Sequence, residues 1–566
     1  MMLNVVKKLR RLPDFALMAA LLAAVVICLL YAGEGVDSEA VMMVFSHDES
    51  DQTQRMFRLI QHDTLDTGGF INGFYSYGQF YPTIVFGIAK ALSIIGLDPL
   101  TFRDVAVIMK LVSCFFYAAS IVGLWVVLRY FKVDRTLAAA FAFALLAFPD
   151  YWTWATVVHP DTAQMFTLIL PVWAALRIGN WTSAAILSAF LVGISFGTKY
   201  NGLFMSAFVA FFVCFYLFLE ARASGQWRLV VKRLIFRSAL CINAFVFGWL
   251  LFNPFVLMHF PKFFDEVTNQ ADYLRYGVGV TLDQNGFKWF TIYADQFGVA
   301  LSVFMAVGVV GALVLNLAAY RKWFAGHNDD DPNTDTAAAD LPGREKIVIT
   351  SLAFYFLVAS LYLIVVVKYR EIRYAYHIVP VVLILSAYGL DRILRRLSVT
   401  VTFTLQGLVP LAVSAVMIVA ALPGFVTGLN QASDKFVERR DNEVIRAGEW
   451  MAATYAGENS VLAGTYSYVP EDHFDRLSYT YEMNFDQIDS MKPSLIVMND
   501  SVPGRYAWKQ RGSLLEDLNI VESPGWEDRR MVEGYGEMMR AFARGETAYR
   551  LVYESETVMI FERKTR

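Results

Sequence analysis

From Phe15 to Leu422 long apolar runs alternate with short polar or basic stretches. Read as helices, the runs predict membrane spans at Phe15–Tyr31, Val105–Leu128, Thr136–Phe148, Thr162–Leu176, Thr182–Phe196 and Gly202–Leu219. The series continues with Leu234–Leu257, Gln296–Leu317, Ile347–Val367, Ile378–Leu390 and Val401–Leu422. That makes about eleven crossings, some shorter than the roughly 20 residues an upright span needs. Beyond Gly424 the pattern turns polar. Asn442–Tyr455 has helical amphipathic spacing, and Val461–Tyr466, Leu495–Met498, Tyr549–Tyr553 and Thr557–Glu562 have the period and residue types of short strands. The expected architecture is therefore a mainly α polytopic membrane protein with interfacial helices, residues 1–423, followed by a small α/β domain, residues 424–566.

Basic residues orient the spans. Lys7, Lys8, Arg10 and Arg11 place the N-terminus on the cytoplasmic side. Arg129, Lys132 and Arg135, the group Arg222 to Arg237, and Arg392, Arg395 and Arg396 also favour that side. All of them reach it only if Thr83–Leu97, which is apolar, short and opened by Pro82, lies in the interface and does not cross. This assignment puts the C-terminal domain outside, in the periplasm of an inner-membrane protein. It also gathers the polar signatures on the outer face: His47–Asp51, His159-Pro160-Asp161, Lys199-Tyr200-Asn201, the Pro261–Trp289 loop and Lys368–His377.

Composition agrees with the pattern. Of 566 residues, 56% are hydrophobic and only 18% charged, too apolar for an ordinary soluble chain. A net charge of −3 excludes a strongly basic nucleic-acid binder. The four cysteines sit singly in apolar runs, without a CxxC pair, so neither a disulfide framework nor a thiolate metal site is expected. No Walker-type GxxxxGK(S/T) loop or dinucleotide fingerprint is present, which argues against an ATP-driven transporter. The loop His327–Asp340 is acidic and aperiodic and reads as disordered.

The candidate chemistry starts at SHDESDQTQRMFRLIQHD, Ser46 to Asp63. Its apolar residues recur at helical intervals and its acids Asp48 and Glu49 fall in the first turn, where the helix dipole favours them. Asp161, after His159 and Pro160, also suits a helix N-terminus; its alternative is a second outward acid facing Asp48. Lys199 ends a span and is either a snorkelling side chain or a ligand contact. Arg370 and Arg373, spaced by three, depart from the positive-inside trend; guanidinium forks match phosphate oxygens, and Tyr374 and His377 continue the same face. His47, Asp48, His159, Asp161 and His377 form a candidate set for a divalent metal ion, though without the tight ligand spacing of a zinc motif.

Taken in order, these residues resemble the GT-C glycosyltransferases, in particular the protein O-mannosyltransferases and the lipid A aminoarabinose transferases. The likeness lies in Asp48-Glu49 followed by Gln54-Arg55-Met56, in the second-loop acid Asp161, in Arg370–Tyr374 running into Ile378-Val379-Pro380, and in the small C-terminal domain. It spans nearly the whole chain. The resemblance implies an inverting transferase that moves a sugar from a polyprenyl-phosphate donor to the hydroxyl of a lipid, glycan or protein acceptor. Asp48 would be the general base, with Glu49 and Asp161 beside it, and Lys199, Arg370, Arg373 and Tyr374 would hold the donor phosphate. The chain departs from the family where Gln79-Phe80-Tyr81-Pro82 lacks a basic residue before proline. A lipid-linked sugar transporter or flippase and a non-catalytic envelope scaffold or sensor are the alternatives. The first would place charges at mid-span, whereas here they cluster at span ends.

Overall fold

In the computed structural model, the described residues are 11–66, 77–97, 100–276, 285–326, 342–368, 372–398 and 408–455. In the C-terminal part they are 457–464, 467–480, 483–499, 507–509, 518–520, 537–542, 544–555 and 557–564. The expected acidic loop His327–Asp340 lies outside them, as does Arg370.

The N-terminal part runs α1 (Leu12–Tyr31), α2 (Glu39–Phe45), α3 (His47–Gln61), α4 (Phe80–Ile94), α5 (Phe102–Tyr130), α6 (Arg135–Leu146), α7 (Pro149–Ala155), α8 (Asp161–Arg177) and α9 (Trp181–Phe196). It continues with α10 (Met205–Ser224), α11 (Trp227–Phe252), α12 (Phe260–Tyr276), α13 (Lys288–Phe297), α14 (Val299–Gly326), α15 (Arg344–Val365), α16 (Val379–Ser398) and α17 (Leu408–Arg440). Among the described residues seven helices are long and apolar enough to cross a membrane, or eight if the bent pair α6–α7 is one span. The remaining expected spans are present as α8, α9 and α16. The first two are short, and the last carries Asp391, Arg392, Arg395 and Arg396 in its final turns. The apolar helix at Pro82 is α4, whose 15 residues rise about 22 Å, less than a hydrocarbon core of about 30 Å. The stretch expected as a loop at Pro261–Trp289 is helical over most of its described length, in α12 and the start of α13.

Glycine lets two of the long helices meet backbone to backbone. A Cβ on Gly389 of α16 would collide with the carbonyl oxygen of Gly308 on α14, and one on Gly308 would collide with Ser386. Small residues at such crossings replace the hydrophobic drive that is missing between helices in lipid.

The C-terminal part consists of α18 (Glu443–Tyr455), β1 (Gly457–Gly464), β2 (Phe474–Thr480), α19 (Phe485–Met491), β3 (Leu495–Asn499), β4 (Ala507–Lys509), β5 (Leu518–Ile520), β6 (Tyr549–Glu554) and β7 (Val558–Arg563). The main sheet has the order β2-β1-β3-β7-β6, parallel across its first three strands and antiparallel across the last three. Side chains alternate between its faces. Val461, Ala463, Leu495, Val497, Val558 and Ile560 meet α18, while Leu462, Ile496, Met498, Met559 and Phe561 meet α19 and Met538. The helix and four of the strands fall where the sequence pattern places them. The edge strand β2 does not show in the pattern, because only Phe474 of its seven residues is buried. The polar turn at Gly424 falls inside α17, which continues to Arg440.

Candidate active site

Ser46 caps α3: its hydroxyl oxygen accepts from the Glu49 amide at 3.3 Å, leaving Asp48 and Glu49 in the first turn. The helix turns these two neighbours in different directions. Asp48 remains 44% exposed at its side chain, whereas Glu49 is 2% exposed. One Glu49 oxygen accepts from the Val158 amide at 2.8 Å, and the other pairs with Arg439 on α17. Burial pushes the Glu49 carboxyl up, but the charges of Arg439 and Lys110 outweigh it and hold it below its ordinary value. Glu49 thus ties the first loop to the second and to the helix that leads into the C-terminal sheet.

Arg373 approaches Asp48 from the other side, with Nη1 at 3.3 Å from Oδ2. It sits on the 3₁₀ turn Ile372–Ala375, just before α16. Its guanidinium lies over the rings of Trp154 at 5.3 Å and Tyr374 at 5.2 Å. The Lys199 ammonium lies over Tyr374 too, at 5.7 Å, and over Tyr77 at 5.6 Å. Two cations therefore share the Tyr374 ring.

Lys199 does not snorkel. It is 7% exposed and pairs with Asp161, whose other oxygen is 3.0 Å from His159 Nδ1. His159 Nε2 meets the Tyr77 hydroxyl at 3.2 Å, and its ring packs on Trp154 at 4.5 Å. Asp161 is fully buried, so the structure does not set it face to face with Asp48; both of its oxygens are occupied by Lys199 and His159. The backbone crossing beneath Lys199 is close. The Gly78 and Phe80 amides donate to the Thr198 and Gly197 carbonyls at 3.2 and 3.0 Å, and a Cβ on Gly78 would collide with Gly197. Lys199 thereby lies beside the Gln79–Pro82 segment that lacks a basic residue of its own.

His377 is buried and stacks on Phe204, with Nδ1 at 3.4 Å from Asn201 Nδ2; burial pushes its pKa down to about 3. The candidate metal ligands are thus dispersed. Asp161 and His159 serve Lys199, Asp48 serves Arg373, His377 faces Asn201, and the side chain of His47 lies outside the described residues. Among the described residues no three His, Cys, Asp or Glu side chains are grouped to hold a metal. These donors do not fit a divalent ion, because the carboxylates are already neutralised by cations.

Sequence reasoning did not find Tyr77, Trp154 or Arg439. Tyr77 and Trp154 are aromatic residues in an aromatic-rich chain, and Arg439 lies 390 residues from its partner. An apolar cavity of about 390 Å³ opens one turn past Tyr374, lined by Trp289, Tyr293, Met305, Val309 and Ile378. The Tyr293 hydroxyl donates to the Ala375 carbonyl at 2.9 Å, which fixes the cavity against the turn that carries Arg373.

A bundle with at least seven helices apolar enough to cross a membrane, an acid-bearing first loop docked on it, and a small mixed sheet after the last long helix make up an architecture that this chain shares with solved structures. Over its whole length it is similar to ArnT from Cupriavidus metallidurans bound to undecaprenyl phosphate. The TM-score is 0.53 at 11% identity, covering 96% of this chain and 97% of that one. The apo state of the same protein gives a TM-score of 0.51 at 12% identity, covering 97% and 98%. The archaeal oligosaccharyltransferase AglB from Archaeoglobus fulgidus, in complex with an inhibitory peptide and a dolichol-phosphate, gives 0.48 at 10% identity, covering 96% and 80%. No family model matches the sequence, and no curated protein matches it.

Proposed function

We propose that the protein is an inverting glycosyltransferase that takes a sugar from a polyprenyl-phosphate donor at the extracytoplasmic face of the inner membrane. The observation that carries this reading is the pairing of a half-exposed carboxylate, Asp48, with Arg373 at 3.3 Å, beside a second cation, Lys199, on the same Tyr374 ring. Asp48 takes the proton of the acceptor hydroxyl as that oxygen bonds to the anomeric carbon. The bond from carbon to phosphate oxygen breaks, and the polyprenyl phosphate leaves with the added negative charge. Arg373 and Lys199 face that charge, and their attraction grows as it develops, so they act on the rate as well as on binding. Glu49 and Asp161 are positioning residues. The first anchors the Asp48 loop; the second holds Lys199 in place.

The apolar cavity at Tyr293 and Ile378 supports a lipid donor, since Tyr293 is bonded to Ala375 next to Tyr374 and the cavity offers the polyprenyl chain an apolar lining. ArnT in its undecaprenyl-phosphate complex has the same fold, which also favours a donor of this chemistry. Arg370 belongs with the donor contacts by its place in the sequence, three residues from Arg373. The test is binding of undecaprenyl phosphate to purified protein, together with mass spectrometry of envelope lipids and glycans from cells with the wild type or with Asp48→Asn. A product present with the wild type and absent with the variant is the expected outcome. Undiminished product with Asp48→Asn would remove Asp48 from the reaction.

A further inference from the structure

At the far end of the bundle a second concave site is built from α14, α15, α16 and the turn after α5. Each of three helices joins the two sites from opposite ends. Lys110 of α5 lies near Glu49, and Lys132 follows its other end. The start of α15 carries Arg344 and its end leads to Lys368; α16 begins beside His377 and finishes at Arg395 and Arg396. The cavity there holds about 560 Å³. Its lining includes five cations, Lys132, Lys346, Arg392, Arg395 and Arg396, and a single acid, Glu345. Glu345 is shared by Lys132 at 2.5 Å and Arg392 at 3.2 Å, and Arg395 turns to Asp391 at 2.7 Å.

Cationic ends of spans are ordinary when they point apart into water. Here they converge on one volume, where like charges repel unless an anion sits between them. The Arg392 Nε is buried without an acceptor among the described residues, and its guanidinium is held over the Tyr388 ring at 4.9 Å. Lys346 and Arg396 have no acidic partner among the described residues. Leu315 and Ala319, on one face of α14, complete the wall. A polar floor of converging guanidinium and ammonium groups with apolar sides is the chemistry of a phosphate-bearing head with hydrocarbon attached.

We infer that this cavity binds the phosphate of an anionic ligand, distinct from the donor bound at Arg373, and that its apolar sides favour a membrane phospholipid as the source. The inference does not depend on the transferase reading, because its readout is binding at the other end of the molecule. Full-length protein stripped of lipid in detergent would be compared with Lys346→Gln/Arg396→Gln, whose altered side chains make no ion pair among the described residues. Each charge removed near a membrane surface lowers affinity about fivefold, so the double variant should bind about thirtyfold more weakly. Thermal shift and native mass spectrometry with cardiolipin, phosphatidylglycerol and phosphatidylcholine form the first arm, and inorganic phosphate and pyrophosphate the second. Stabilisation of the wild type by the anionic lipids, lost in the variant, supports a lipid source. Stabilisation by pyrophosphate alone, lost in the variant, supports the same site with a soluble source. Equal binding by wild type and variant, or equal binding of phosphatidylcholine and cardiolipin, would overturn the inference. Arg396→Glu, at the exposed rim, repeats the comparison with a single reversed charge, so that a folding defect in the double variant would not decide the matter.

Discussion

Arg373 Nη1 stands 3.3 Å from Asp48 Oδ2, bridging 325 residues of chain at the mouth of the candidate active site. The carboxylate proposed as the base and the guanidinium proposed to hold the donor phosphate are here each other's partner. Arrival of a phosphate would give Arg373 a second anion to bind and leave Asp48 turned toward the acceptor.

Asp48→Asn keeps the shape and removes the charge. Transfer should fall by about 10²–10⁴-fold, the usual cost of losing a general base. Binding of undecaprenyl phosphate should persist, because the variant leaves Arg373 and Lys199 in place. Steady-state rates and a thermal-shift titration on the same preparation check both parts.

Arg373→Ala should weaken both donor binding and turnover, and Arg373→Lys should recover only part of each. Lysine supplies a charge but no fork, and it does not stack as guanidinium does on Trp154 and Tyr374. Donor kinetics in detergent separate the two effects. Unchanged kinetics in both variants would reduce Arg373 to an interfacial anchor.

The Glu49–Arg439 pair should appear in stability before it appears in chemistry. Removing one partner of a buried ion pair costs about 3–5 kcal/mol, since the other charge is stranded. Arg439→Met and Glu49→Gln should each lower the melting temperature, and the double variant should lose less than the sum. Because Arg439 and Lys110 hold the Glu49 carboxyl below its ordinary value, its contribution is present above that ordinary value and lost as pH falls through the lowered one. Glu49→Gln should flatten that part of the acid-unfolding curve. An additive cycle would mean that the pair is not coupled.

Asp161→Asn should act through Lys199. The lysine loses the buried counter-charge that holds it over Tyr77 and Tyr374. Donor KM should shift more than the acceptor KM, and Lys199→Met should show the same bias. Equal effects on both substrates would count against the assignment of Lys199 to the donor.

Gly308→Val should disrupt the bundle, since even a Cβ at that position runs into Ser386 on α16. Loss of folded protein in size-exclusion chromatography, with Ser302→Ala of the same helix left intact, is the expected result.

Local pattern carried the elements of this fold and the residue types of its site. Hydrophobic runs, basic clusters and the strand period are properties of neighbouring residues, and so α3, α18 and four strands could be read directly. The acids at Asp48 and Asp161, the cation at Lys199 and the Arg373-Tyr374 pair were legible for the same reason, as breaks in an apolar background. Their division of labour was not. Asp48 and Glu49 are adjacent in sequence, yet a rotation of about 100° per residue along α3 sends one to the open site and the other into the protein. Arg439, which receives Glu49, is 390 residues away, and nothing local marks it. Among the described residues the candidate metal set was dispersed on the same ground: Asp48 met Arg373, Asp161 met Lys199 and His159, and His377 met Asn201 once the helices packed. The sequence by itself determined which groups could do chemistry and roughly which segments carry them. Only the tertiary structure decided which carboxylate stays exposed, because burial and ion pairing depend on what distant helices bring to each side of a residue.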